Sequence, residues 1–205
     1  KGLELLEKEG ASAVWNAVFP KNILPIQLGY SSSGEVVQVG EGVKDFHVGD
    51  KVVSNGNHAE YVIVNQNLCT RIPDDTSMKE AAFTVLGSIA LHGLRLSETS
   101  LGSKVVVIGL GIVGQLVCRL AEAQGSDVIG IDPDSSRHLE NKNFYETVEG
   151  LNLENVDSVI ITAASSTNEP IEVATKIARN KAKIVVVGDI PLNISRNEFY
   201  YKELE

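Results

Sequence analysis

The chain has 205 residues, enough for one large domain or two small ones. Apolar residues make up 43% and charged residues 22%, so there is surface for a core, and disorder as the main state is excluded. With 18 Lys and Arg against 27 Asp and Glu the formal charge is −9, which argues against a nucleic-acid or anionic-membrane partner.

Residues 1–28 read as a helix and its exit, with Leu3, Leu6, Val14, Trp15 and Val18 at partly helical spacing and Pro20 and Pro25 as stops. Residues 29–75 read as β structure. Glu35–Val39, Asp50–Val53 and Ala59–Val64 are the expected strands, and Pro73-Asp74-Asp75 is a turn. Residues 78–95 return to helix, capped by Ser77 with Glu80 three residues later.

From 103 onward the pattern becomes strand–helix alternation. Val105–Ile108 is a continuous apolar strand; Val113, Leu116, Val117, Leu120 and Ala121 then form one face of a helix ended by Gly125. Asp127–Ile131, Ser158–Ala163 and Lys183–Val187 are further buried strands, and Pro170 opens a helix between the last two. Such alternation predicts a parallel sheet covered on both faces. Asn141–Leu153 holds at most one short strand and one weak helix. The longest apolar stretch, Val105–Gly114, is far shorter than the ~20 residues that span a bilayer. No signal peptide is visible, and the missing initial Met reads as a piece of something longer. Cys69 and Cys118 read as reduced, buried thiols, which points to the cytoplasm.

Gly109-Leu110-Gly111-Ile112-Val113-Gly114 is a G-x-G-x-x-G turn directly after a buried strand and before an amphipathic helix. Gly109 makes the tight turn, Gly111 lets backbone approach a pyrophosphate, and Gly114 lets the helix pack close. The free N–H groups of the helix start then face phosphate. The next strand ends at Asp132, 18 residues after Gly114, where a carboxylate accepts hydrogen bonds from the adenosine ribose diol and repels a 2′-phosphate. NAD(H) is therefore favoured over NADP(H). Arg137 either contacts the adenosine or is a solvated charge. Thr162, Ala163 and Gly188, at the ends of later strands, complete the set of cofactor-binding candidates. A methyltransferase-type α/β fold is the minor competitor, since it too has a glycine turn and a later acid.

The order of parts resembles the medium-chain dehydrogenase/reductase family. Three segments carry the resemblance besides the glycine turn. They are Gly29–Gly40 with Val48–Val52, then Ala59–Val62 with Ile72-Pro73-Asp74, and Ala81-Ala82 with Ile89–Leu94. Asn57–Val62, Ile160–Ala164 and Arg196–Leu204 are similar to the dehydrogenase half of bi-domain oxidoreductases. The resemblance implies a partial GroES-like β-barrel domain with its N-terminal and bridging helices over 1–95. It further implies a Rossmann domain, a doubly wound parallel α/β sheet, over 96–190 and a return segment over 191–205. It allows a homodimer and a fused C-terminal oxidoreductase domain as partners, besides a small-molecule substrate.

Zinc members of that family hold the metal with a His at a position filled here by Gly29-Tyr30-Ser31. A further ligand comes from an Ala-Ala-x-x-(Glu/Cys)-Pro run, which here reads Ala81-Ala82-Phe83-Thr84-Val85-Leu86. A phenol with a pKa near 10 is a poor zinc ligand and valine has no donor, so no metal site is expected. Asp50–Ala59 is a short loop without the structural four-Cys lobe. Charge on a substrate oxygen must then be met by a positioned hydroxyl or imidazole. Tyr30 is the first catalytic candidate, followed by Ser31 and His58. The alternatives are an aromatic plug for Tyr30 and a backbone-bonded loop residue for His58. His92 reads as a core histidine, and His47 and His138 as surface residues. The expected function is an NAD-dependent, zinc-independent oxidoreductase acting on a carbonyl or alcohol of sugar-like type. Its rival is a dinucleotide-binding module that has lost chemistry and serves a fused catalytic domain.

Overall fold

The computed structural model describes residues 27–139 and 142–205. The expected N-terminal helix lies outside them, its exit at residues 27 and 28 apart. The chain divides into two compact units, Lys1–Arg71 and Ile72–Glu205.

The first unit contains a three-stranded antiparallel sheet in the order β1 (Ser32–Glu35), β2 (Lys51–Ser54) and β3 (Cys69–Arg71). Gly34 faces Val52 across one ladder and Val53 faces Thr70 across the other. Val52 and Val53 are its buried apolar centre. The strand expected at Glu35–Val39 sits earlier. Its ladder ends where Val36 N–H donates to Asp50 O and Gly49 N–H to Val36 O, both at 2.9 Å, and Val37 and Val39 beyond are exposed. Ala59–Val64 is not a strand. A strand needs a partner ladder, and none pairs with it among the described residues; Tyr61 and Ile63 face solvent. Val62 instead packs against Gly56, where a Cβ would come within 2.8 Å of its Cγ2.

The second unit is built on a parallel sheet. Its strands are β4 (Lys104–Ile108), β5 (Asp127–Ile131), β6 (Phe144–Tyr145), β7 (Val156–Ile161) and β8 (Ala178–Val186), in the spatial order β6-β5-β4-β7-β8. Helices α1 (Met78–Ala81) and α2 (Thr84–Leu96) precede it, α3 (Ile112–Ala123) follows β4, α4 (Glu169–Ile177) follows β7, and α5 (Arg196–Lys202) follows β8. The expected 78–95 helix is thus two. The Ser77–Glu80 capping box is present, and Ala82-Phe83 breaks the run. These helices lie within the second compact unit, Ile72–Glu205. Beyond 141 only the two-residue β6 forms, with no helix among the described residues to 153.

Because successive side chains on a strand point to opposite faces, a continuous apolar strand feeds two cores. Val105 and Val107 join Ala90, Leu94, Val117, Cys118 and Ala121 on one side; Val106 and Ile108 join Ile131, Ile171, Ala174 and Ile177 on the other. Each fully buried Val or Ile contributes roughly 1.5–3 kcal/mol over its exposed state. Gly93 lets α2 approach the end of β8, since a Cβ there would sit 2.8 Å from Val187 Cγ2.

β8 begins five residues earlier than the expected Lys183, directly at the end of α4. Its polar start is held by Arg179 Nε donating to Asp157 Oδ1 at 2.7 Å and by a Lys181–Glu203 ion pair. Asp157 Oδ2 also accepts the Lys104 N–H at 2.8 Å, so one carboxylate ties the starts of β4, β7 and β8 together. The thiols are both free, but only Cys118 is buried, and burial pushes its pKa up to about 12; Cys69 is half-buried. No described helix is long and apolar enough to cross a membrane.

Candidate functional site

β4 lies at the centre of the sheet. The chain winds outward through β5 and β6, then returns to β7 on the other side of β4. The strand order therefore reverses between β4 and β7, and a crevice opens at their carboxyl ends, the place where open α/β sheets bind ligands. The glycine turn leaves β4 there, and Thr162-Ala163 leave β7.

Each glycine of the turn has a different physical basis. Gly109 has φ +96°, and a Cβ on it would come 2.5 Å from Ala163 N, so the two backbones touch. A Cβ on Gly114 would collide with the Gly109 carbonyl oxygen and reach 2.7 Å from Thr162 Oγ1. This is the close helix–strand packing that the sequence requires there. Gly111, the residue before α3, has φ −63° and ψ −173°, which any residue adopts, and a Cβ on it would meet nothing. No protein contact asks for glycine at 111. The space in front of it suits a ligand, and the first N–H groups of α3, which have no carbonyl partner within the helix, start at this point.

Leu110 and Thr162 do not face the crevice with free groups. The Leu110 side chain is fully buried, and its N–H donates to Asp132 Oδ2 at 2.7 Å. Thr162 Oγ1 donates to Gly109 O at 2.6 Å, so it holds the turn. Ile112 is exposed, and Val113 half-buried. Gly188 lies against the Ala163 carbonyl, where a Cβ would not fit, and its N–H donates to Ile161 O at 2.9 Å.

Asp132 sits immediately after β5 with its side chain only 3% exposed. Besides Leu110 N–H, it receives the Asp134 N–H on Oδ1 at 2.9 Å and Arg137 Nη1 on Oδ2 at 3.2 Å. Arg137 is therefore neither free nor merely solvated, because its Nε also pairs with Asp134 Oδ2 at 3.3 Å. Asp134 accepts from the Ser136 hydroxyl at 2.6 Å and the Ser136 N–H at 3.1 Å. These bonds, with Arg137 beside it, hold its pKa below the usual carboxylate range. Three contributors escaped sequence reading. Gln115 Nε2 donates to Leu110 O at 3.1 Å, His138 Nε2 bonds Asp132 O at 2.8 Å, and Asp134 completes the ion-pair cluster. His138 is thus part of the site's frame rather than a surface residue. The Asp134-Ser135-Ser136 run was a readable capping signal, but Gln115 and His138 had none.

In the first unit, Tyr30 is exposed and Ser31 half-buried. His58 is exposed; its N–H donates to Leu28 O at 2.7 Å, and its ring lies directly over Gly29. The structure thus brings His58 onto the segment that carries Tyr30 and Ser31. His92 is exposed on α2 rather than in the core. Among the described residues no three His, Cys, Asp or Glu side chains form a cluster that could hold a metal.

The alcohol dehydrogenase GroES-like domain matches residues 10–74. The (R,R)-butanediol dehydrogenase of Bacillus subtilis is 27% identical over 181 residues, which cover 75% of this chain and 52% of that protein. These matches make the chain similar to medium-chain, zinc-type alcohol dehydrogenases. The D-guloside 3-dehydrogenase of Escherichia coli is 36% identical over 115 residues, 54% of this chain and 33% of its own length. Among solved structures, a zinc-binding dehydrogenase from Sinorhizobium meliloti bound to NADP superposes with a TM-score of 0.78 at 23% identity, covering 89% of this chain and 68% of that one. That likeness establishes the fold: a Rossmann-type parallel sheet joined to a GroES-like domain. The chain spans about half the length of the first of these relatives and a third of the second.

The crevice fits a dinucleotide on its own geometry. There is open space before Gly111, a helix start behind it, and a fixed carboxylate at the end of β5.

Proposed function

We infer that this chain carries the nucleotide-binding part of an NAD(H)-dependent oxidoreductase that converts a carbonyl or alcohol on a sugar- or polyol-like substrate without a catalytic zinc. The observation that carries the reading is Asp132. A buried carboxylate held by two backbone amides at the end of β5 is preorganised to accept ribose hydroxyls, and its charge opposes a 2′-phosphate.

When bound, the nicotinamide supplies or accepts the hydride. The N–H groups at the start of α3 hold the pyrophosphate, Thr162 keeps the turn in shape, and Asp132 orients the adenosine end. Tyr30 and Val85 stand where family zinc ligands belong, and neither is a workable ligand. In their place the Tyr30 hydroxyl gives or takes the proton at the substrate oxygen, with Ser31 next to it in the chain and the His58 ring packed over Gly29. The relatives' names, a butanediol and a guloside dehydrogenase, support the substrate class.

Tyr30→Phe tests the chemistry. It is expected to lower kcat by about 10²–10⁴-fold while NADH binding is unchanged. Turnover unaffected by the substitution refutes Tyr30 as the proton donor. NADH binding without turnover on any polyol or sugar substrate favours the non-catalytic module.

A further inference from the structure

We propose that Asp134 is a specificity-determining residue that disarms Arg137 as a receptor for a 2′-phosphate. The proposal rests on the dinucleotide reading of the site and adds a residue to it. An arginine five residues after the ribose-binding acid is well placed to receive the extra phosphate of NADP(H), so Asp132 alone does not secure the choice. The structure shows the guanidinium held between two carboxylates: Nη1 lies 3.2 Å from Asp132 Oδ2 and Nε 3.3 Å from Asp134 Oδ2. Two acids and one arginine leave the cluster at −1.

Asp134 is itself fixed from three directions. Its N–H is donated to Asp132, and its Oδ1 takes both the hydroxyl and the N–H of Ser136. Its second oxygen is therefore aimed at Arg137 by the turn rather than by chance rotamer. A 2′-phosphate carrying about −1.5 to −2 charges must draw Arg137 away from both carboxylates while meeting their repulsion. A ribose diol, which is uncharged, does not compete for the guanidinium in this way. Arg137 and Asp134 are each about half exposed, at 51% and 50%, so solvent screens the effect to several-fold rather than orders of magnitude.

The test is titration of the purified chain with NADH and with NADPH, followed by nicotinamide fluorescence. Asp134→Asn keeps an oxygen to accept from Ser136 and removes the charge. It is expected to tighten NADPH about three- to tenfold relative to NADH, with the gain shrinking as salt is raised. Asp134→Ser, which also caps the turn, should do the same. In an Arg137→Gln background the Asp134→Asn gain should fall by at least half, because the freed guanidinium is its source. Equal shifts for the two nucleotides, no shift, or an undiminished gain without Arg137 overturns the proposal while leaving the dinucleotide site intact. If neither nucleotide binds the wild-type chain, the dinucleotide reading fails and the proposal fails with it.

Discussion

The Asp132 carboxylate accepts the Leu110 N–H at 2.7 Å, which locks the acid at the end of β5 to the second residue of the glycine turn. The same group is therefore part of the fold and part of the candidate site. Asp132→Ala leaves two backbone N–H groups, those of Leu110 and Asp134, without their acceptor. Allowing for water at the more exposed Asp134, the expected loss is about 2–4 kcal/mol of stability in urea unfolding. Asp132→Asn keeps one acceptor oxygen but turns its amide NH2 toward the other backbone donor, so it should recover only part of that loss. A change below 0.5 kcal/mol for the alanine variant would show that the bond is not made.

Gly111 and Gly114 should separate binding from folding. A Cβ at 111 has no protein atom within 4 Å, so Gly111→Val is expected to keep its thermal midpoint within a few degrees and to lose nucleotide affinity. At 114 even a methyl group collides with the Gly109 carbonyl, so Gly114→Ala should cost about 1–3 kcal/mol as the turn and α3 shift apart. Differential scanning fluorimetry reads both. Equal loss of stability at the two positions contradicts the assignment.

Asp157 gives a pH dependence of known sign. Its hydrogen bond from Arg179, then that from Lys104 N–H, lowers its pKa below the usual carboxylate value. A depressed carboxylate stabilises the fold above its unfolded-state pKa, near 4, and loses that contribution as pH falls through the folded-state value. With its side chain one-third exposed, Asp157→Asn should cost about 1–2 kcal/mol at pH 7. The gap to wild type should narrow as pH falls below the unfolded-state value and through the lower folded-state one. Urea unfolding across that range checks it, and a gap that is constant or widens towards acid refutes the ionised role.

Most of the parallel sheet was legible because Val105–Ile108, Val128–Ile131 and Val159–Ile161 are short apolar runs rich in β-branched residues, a pattern that suits strands buried on both faces. Ala59–Val64 misled because alternation marks a strand only if a partner ladder exists, and pairing is a long-range property. The start of β8 was missed because Arg179, Asn180 and Lys181 look like a loop; partners distant in sequence, Asp157 and Glu203, make them tolerable on an edge strand. At the site, Asp132 was readable from its distance to the glycine turn. Its closure onto Leu110 across 22 residues was not, nor were the bonds from Gln115 and His138, since no local spacing encodes them.

The central claim is that the Gly109–Gly114 turn and Asp132 bind a dinucleotide. NADH titrated into the wild-type chain and into Gly111→Val, followed by nicotinamide fluorescence, tests it most directly. The account predicts saturable binding of one NADH per wild-type chain, weaker binding of NADPH, and loss of both in a Gly111→Val variant that is still folded. Absence of saturable binding by the wild-type chain, or binding that survives in Gly111→Val, would contradict it.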